Sequence, residues 1–85
     1  MRIEIQLFGA LREAEPGAML AIDSGAETIG ALRAAVAAHA EGRWPPQARA
    51  LLTRSAFASE RSVLRDGEAV PADGRLALLP PVSGG

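Results

Sequence analysis

Polar and apolar residues alternate strictly at the start of the chain. Ile3, Ile5 and Leu7 fall on one side of residues 2–8, and Arg2, Glu4, Gln6 and Phe8 on the other. This period of two predicts a strand with one buried face, and it leaves Phe8 as an aromatic on the polar face. Glu15-Pro16-Gly17-Ala18 places Pro and Gly at the centre of a type II turn, after which residues 19–23 again suit an extended segment. Two antiparallel strands result, although the connection through residues 10–15 is longer than a tight hairpin.

The period then changes. Thr28 is a suitable helix cap, and Ile29, Leu32, Val36 and Ala40 recur at spacings of three and four, one stripe of an amphipathic helix. Gly42 stops the helix and Pro45-Pro46 is expected to prevent its restart, which gives about 13 residues and roughly 20 Å of helix. From 47 to 64 the alternation is interrupted by Ala; Leu51-Leu52 and Ser55-Ala56-Phe57-Ala58 suit a strand. Asp66-Gly67 and Asp73-Gly74 mark two turns, and residues 75–79 form a last strand before Pro80-Pro81 ends sheet pairing.

This order predicts an α+β fold in which one main helix covers one face of a mixed sheet of four to five strands. The economical arrangement is a β-grasp, with the first and last strands parallel and adjacent at the sheet centre. The expected division is a folded domain over 1–79 and an extended tail over 80–85.

Composition narrows the function classes. Eighty-five residues make one domain, which at this size buries roughly 60 to 65 per cent of its unfolded surface. There is no Cys, so neither disulfides nor bound thiolates support the fold, and any sulfur handled here does not sit on a thiol of this chain. No apolar run approaches the roughly 20 residues that cross a membrane, and a cytoplasmic location is expected. A net charge of −1 with 4% aromatic residues argues against a nucleic-acid surface. Every basic residue is Arg, so the chain offers neither a Schiff-base lysine nor a lysine for isopeptide extension.

Candidate chemistry gathers at the end of the chain, Pro80-Pro81-Val82-Ser83-Gly84-Gly85. The two prolines stiffen the exit from the sheet and remove two backbone donors. Fully extended, the six residues span about 20 Å, enough to carry a carboxylate into a cleft on another protein. The two glycines lack β-carbons and accept the dihedrals of a narrow channel.

The segment Leu76-Ala77-Leu78-Leu79-Pro80-Pro81-Val82-Ser83-Gly84-Gly85 resembles the C-terminal signature of the MoaD family, the small sulfur-carrier subunit of molybdopterin synthase. Leu7-Phe8-Gly9-Ala10-Leu11-Arg12-Glu13 is similar to that family's opening strand and turn, and Thr28-Ile29-Gly30-Ala31-Leu32 to the start of its helix. The chain departs from the family at Ala58-Ser59, where an Asn is usual, and in the loop Ala72-Asp73-Gly74-Arg75.

The resemblance implies a ubiquitin-like β-grasp and a working group at the carboxylate of Gly85. A ubiquitin-activating-enzyme-like adenylyltransferase would activate that carboxylate with ATP. A cysteine desulfurase or rhodanese would supply sulfur, leaving a thiocarboxylate. The large subunit of molybdopterin synthase would then accept the tail, with two small and two large subunits as a possible heterotetramer. No permanently bound cofactor and no metal are implied, and general acids and bases would come from the partner. The chain itself is then a non-catalytic, sulfur-donating subunit.

Partner contacts are assigned to Phe8, Leu76, Leu78, Pro80, Pro81, Val82, Ser83 and Gly84. On the last strand Leu76 and Leu78 share one face and Ala77 and Leu79 the other; one pair belongs to the core, and we assign Leu76 and Leu78 to the patch beside Phe8. His39 reads as a surface or helix-end residue and Trp44 as a cover for the helix end. Asp66, Glu68 and Asp73 lie at Gly-containing turns, where backbone reasons favour acidic residues. A carrier for thiamine thiazole or cysteine synthesis, and a ubiquitin-like protein modifier, remain alternative readings.

Overall fold

The computed structural model describes residues 1–81. Five strands form one mixed sheet: β1 (Arg2–Leu7), β2 (Met19–Asp23), β3 (Ala56–Ala58), β4 (Val63–Leu64) and β5 (Arg75–Leu79), in the order β2-β1-β5-β3-β4. β1 pairs antiparallel with β2 and parallel with β5, so the first and last strands lie side by side, with β5 at the centre. Two helices, α1 (Ile29–Ala40) and α2 (Pro46–Leu52), complete the α+β fold.

One face of the sheet is dry. Ile3, Ile5 and Leu7 of β1, Leu20 of β2, Phe57 of β3 and Leu76 and Leu78 of β5 pack against Ile29, Leu32, Val36 and Ala40 of α1. The alternation of β1 and the three- and four-residue spacing of α1 therefore meet in one core. Ala31, Ala34, Ala35, Ala37 and Ala38 fill the remaining α1 faces with the residue that has the highest helix propensity. The helix starts where Thr28 accepts a hydrogen bond from the Ala31 amide at 3.2 Å, and Gly42 lies just past its end with φ of 73°.

Near the N-terminus, the Glu15 carbonyl accepts from the Ala18 amide at 3.0 Å, and Gly17 adopts φ 68° and ψ 11°, the third-residue geometry of a type II turn. Between β1 and that turn, residues Gly9–Ala14 wind into a 3-10 helix anchored by fully buried Leu11. This turn fills the length that a tight hairpin would not need.

The middle of the chain corrects one expectation. Pro45-Pro46 does not prevent a second helix: it begins one. Pro46 occupies the first helical position, where an amide proton has no intrahelical partner to lose, and Pro45 is extended at φ −64° and ψ 155°, as a residue before proline prefers. Leu51 and Leu52 are consequently helical rather than part of a strand, with Ala48 and Leu52 turned into the core. Ala56–Ala58 is extended as anticipated.

Arg33 of α1 ties this segment down. Its Nη1 donates to the carbonyls of Leu52 at 2.8 Å and Ser55 at 2.7 Å, and its Nη2 donates to Asp66 at 3.1 Å. The cation thus sits at the C-terminal end of α2, where the helix carbonyls favour positive charge.

Candidate functional site

The candidate site is built around the end of β5, because that strand delivers the chain to Pro80. Its parallel register with β1 pairs Ile5 with Leu76 and Leu7 with Leu78. Laterally paired residues share a face, so Leu76 and Leu78 join Ile5 and Leu7 in the core, 6% and 0% exposed. Their assignment to a partner-binding patch is therefore corrected. Ala77 and Leu79, the alternate positions, lie half-buried on the open face instead.

That open face carries the apolar surface. Met19 of β2 is 41% exposed, Val63 of β4 60% and Phe8 38%. Gln6 pairs with both Met19 and Ala77, and Ala58 pairs with both Ala77 and Val63, so a mostly apolar row, interrupted by polar Gln6, crosses the sheet. Polar groups border it: Arg2 and Glu4 form an exposed ion pair at 3.3 Å. A shallow concavity of about 490 Å³ opens there, lined by Glu4, Gln6, Met19, Ser59, Glu60 and Arg75 among others. The alternation of β2 was the signal that placed Met19 outward, with Leu20 inward, although no motif singled it out.

At the strand end the parallel ladder runs one step further, with the Phe8 amide donating to the Leu78 carbonyl at 3.3 Å. Gly9 then turns the chain at φ 57°, and its bare Cα faces the Pro80 ring. A β-carbon there would lie 2.8 Å from Pro80 Cγ. Only glycine accepts both that backbone angle and that approach. Pro80 is half-buried and Pro81 exposed, whereas Val82, Ser83, Gly84 and Gly85 lie outside the described residues, as does the expected extended tail they would form.

The remaining candidates are engaged elsewhere. His39 and Trp44 both reach Glu15: His39 Nε2 and Trp44 Nε1 each lie 2.8 Å from Glu15 Oε2. This carboxylate, only 17% exposed in its side chain, locks the end of the Gly9–Ala14 turn to the end of α1. Trp44 is 4% exposed and covers the helix end. Asp73 accepts from the Arg75 amide at 3.0 Å and Glu68 from the Arg65 amide at 2.6 Å, which are turn-closing roles. Among the described residues no three His, Asp or Glu side chains come together as a metal site, and no helix is long and apolar enough to cross a membrane.

The ThiS family pattern matches the sequence over residues 5–85, from within β1 through the closing Gly84-Gly85. The chain belongs to the ThiS family. The crystal structure of SAMP1 from Haloferax volcanii is similar over 100% of both chains, with 30% sequence identity and a TM-score of 0.63. No curated protein matches the chain in sequence. The ThiS family comprises small ubiquitin-like β-grasp carriers of sulfur and related modifiers that work with partner enzymes, and the fold described here is theirs.

Proposed function

We propose that this chain is the sulfur carrier subunit of molybdopterin synthase and that the carboxylate of Gly85 is its working group. A carboxylate is a poor electrophile, so a ubiquitin-activating-enzyme-like partner first joins it to AMP from ATP, making a mixed anhydride. The persulfide of a cysteine desulfurase or rhodanese displaces AMP to form an acyl disulfide, and a thiol then reduces its S–S bond, leaving a thiocarboxylate, a nucleophile that needs no cysteine in the carrier. The tail then enters the large synthase subunit, where the thiocarboxylate attacks cyclic pyranopterin monophosphate; water hydrolyses the resulting thioester, which leaves sulfur on the pterin and restores the carboxylate, and two rounds install both dithiolene sulfurs. The carrier contributes position, and the partner contributes acid, base and anion-binding groups.

The observation that carries this reading is the central placement of β5. A strand flanked on both sides holds the tail root firmly, while Pro80 and Pro81 end the pairing and release the chain from the sheet. The ThiS family match extends through Gly85, and the Leu79-Pro80-Pro81-Val82-Ser83-Gly84-Gly85 sequence favours the molybdopterin branch.

Intact mass measurement after incubation with the activating partner, ATP and sulfur donor tests the chemistry. Replacement of oxygen by sulfur adds about 16 Da, localised to Gly85. An unchanged terminus, with a known carrier loaded under the same conditions, would overturn the proposal.

Membership of the ThiS family also favours a second reading, in which the loaded carrier serves thiazole formation instead. The identity of the enzyme captured by the thiocarboxylate form decides between them: the large molybdopterin synthase subunit supports the first reading, and a thiazole-forming enzyme the second. Attachment of the chain through Gly85 to lysines of other proteins would instead mark it as a modifier.

A further inference from the structure

We propose that Gly9 is a positioning residue for the tail, setting the direction in which residues 81–85 leave the domain. The inference rests on the carrier reading above and concerns how the terminal carboxylate reaches its partner.

Gly9 is held from both sides. On one side the Phe8 amide is bonded to the Leu78 carbonyl at 3.3 Å; on the other, the Leu11 amide donates to the Phe8 carbonyl at 3.1 Å, and the Leu11 side chain is fully buried. Arg12 Nε adds a contact to the Gly9 carbonyl at 3.4 Å. The polar lock of Glu15 with Trp44 and His39 fixes the far end of the same turn. Gly9 therefore forms an anchored floor, and the Pro80 ring rests on it so closely that a methyl group would meet Cγ at 2.8 Å.

Because the ring locks its own φ, seating the ring also sets the path of the next peptide. Five residues span at most about 17 Å when fully extended, so a change of about 20° in direction at the root displaces the terminal carboxylate by up to about 6 Å. A shift far smaller than that already degrades the alignment of reacting groups. The contact thus reduces the volume that the carboxylate must search before a partner can engage it.

Two variants and a spectroscopic readout test this. Gly9→Ala introduces the clash; Pro80→Ala removes the ring without straining Gly9. Because the chain has no Cys, a nitroxide on a single Ala21→Cys substitution reports tail direction through paramagnetic broadening of the 82–85 amides. Both variants are expected to keep the amide spectrum of the folded domain and to change the broadening pattern of the tail. In adenylation assays both are expected to raise KM for the carrier about tenfold while kcat stays within about twofold. In KM and in tail broadening the double variant should match Pro80→Ala alone, since the ring contact is then absent in both, while the strain of alanine at φ 57° shows only in stability.

Unchanged broadening in the folded variants, unchanged KM, or additive effects in the double variant would each overturn the proposal. If the wild-type protein accepts no adenylate from any activating partner, the carrier reading fails. The broadening experiment would then still decide whether Gly9 directs the tail.

Discussion

The Arg33 guanidinium carbon lies 5.2 Å from the centroid of the Phe57 ring, a cation over an aromatic face in the layer between α1 and the sheet. The same side chain, 20% exposed, also bonds the Leu52 and Ser55 carbonyls. Removing it takes the charged donor from both carbonyls near the C-terminal end of α2, although the Leu52 carbonyl keeps the Ser55 amide at 3.2 Å. Arg33→Ala is expected to destabilise the fold by about 2 to 4 kcal/mol in urea titration, and Arg33→Lys to recover less than half of that, because a single ammonium does not reproduce the planar fork. By contrast Asp66, 64% exposed, is a solvent-screened partner, and Asp66→Asn should change stability by less than about 0.5 kcal/mol.

Trp44 is the only tryptophan and its indole donates to Glu15 Oε2 at 2.8 Å. Glu15→Ala leaves that buried donor unsatisfied and is expected to cost about 1 to 3 kcal/mol, whereas Glu15→Gln keeps an acceptor and should cost less. Fluorescence-detected unfolding reads both directly. A Glu15→Ala variant as stable as wild type would show that water replaces the carboxylate without loss.

Neighbouring leucines of β5 should behave oppositely. Leu78→Ala empties a fully buried position and is expected to lower stability by about 2 to 5 kcal/mol, while half-buried Leu79 should lose about 1 kcal/mol when truncated. Differential scanning calorimetry separates the two. Equal losses would contradict the opposite faces of these two side chains.

On the open face, Met19→Glu places a charge in the apolar strip at a position already 41% exposed. Thermal stability should stay within a few degrees of wild type, and affinity for the activating partner should fall by about tenfold or more, measured by titration calorimetry. Asp23→Ala, at the outer end of the same strand, serves as a control that should bind as wild type does.

Much of this architecture was legible from residue pattern because the signals were periodic. The alternation Ile3, Ile5, Leu7 and the stripe Ile29, Leu32, Val36, Ala40 each reported a buried face, and both faces are buried. The Pro45-Pro46 pair misled because proline terminates a helix and also begins one; which of the two occurs depends on whether the succeeding residues, here Ala48 and Leu52, have a core to enter. Leu76 and Leu78 were misassigned because a strand of five largely apolar residues gives no preference between its faces, and only the register against Ile5 and Leu7 decides. Gly9 meets Pro80 across some seventy residues of sequence, and no local pattern encodes such a contact.

The pairing of β1 with β5 has a kinetic side. During synthesis β5 is the last of the described elements to emerge, and the sheet has no centre until it inserts between β1 and β3. A closure spanning nearly the whole chain is slow and comes late. Incomplete or unfolded molecules thus lack the central strand that seats Pro80 on Gly9, so the whole sheet has to be in place before the chain leaves β5 from a fixed root.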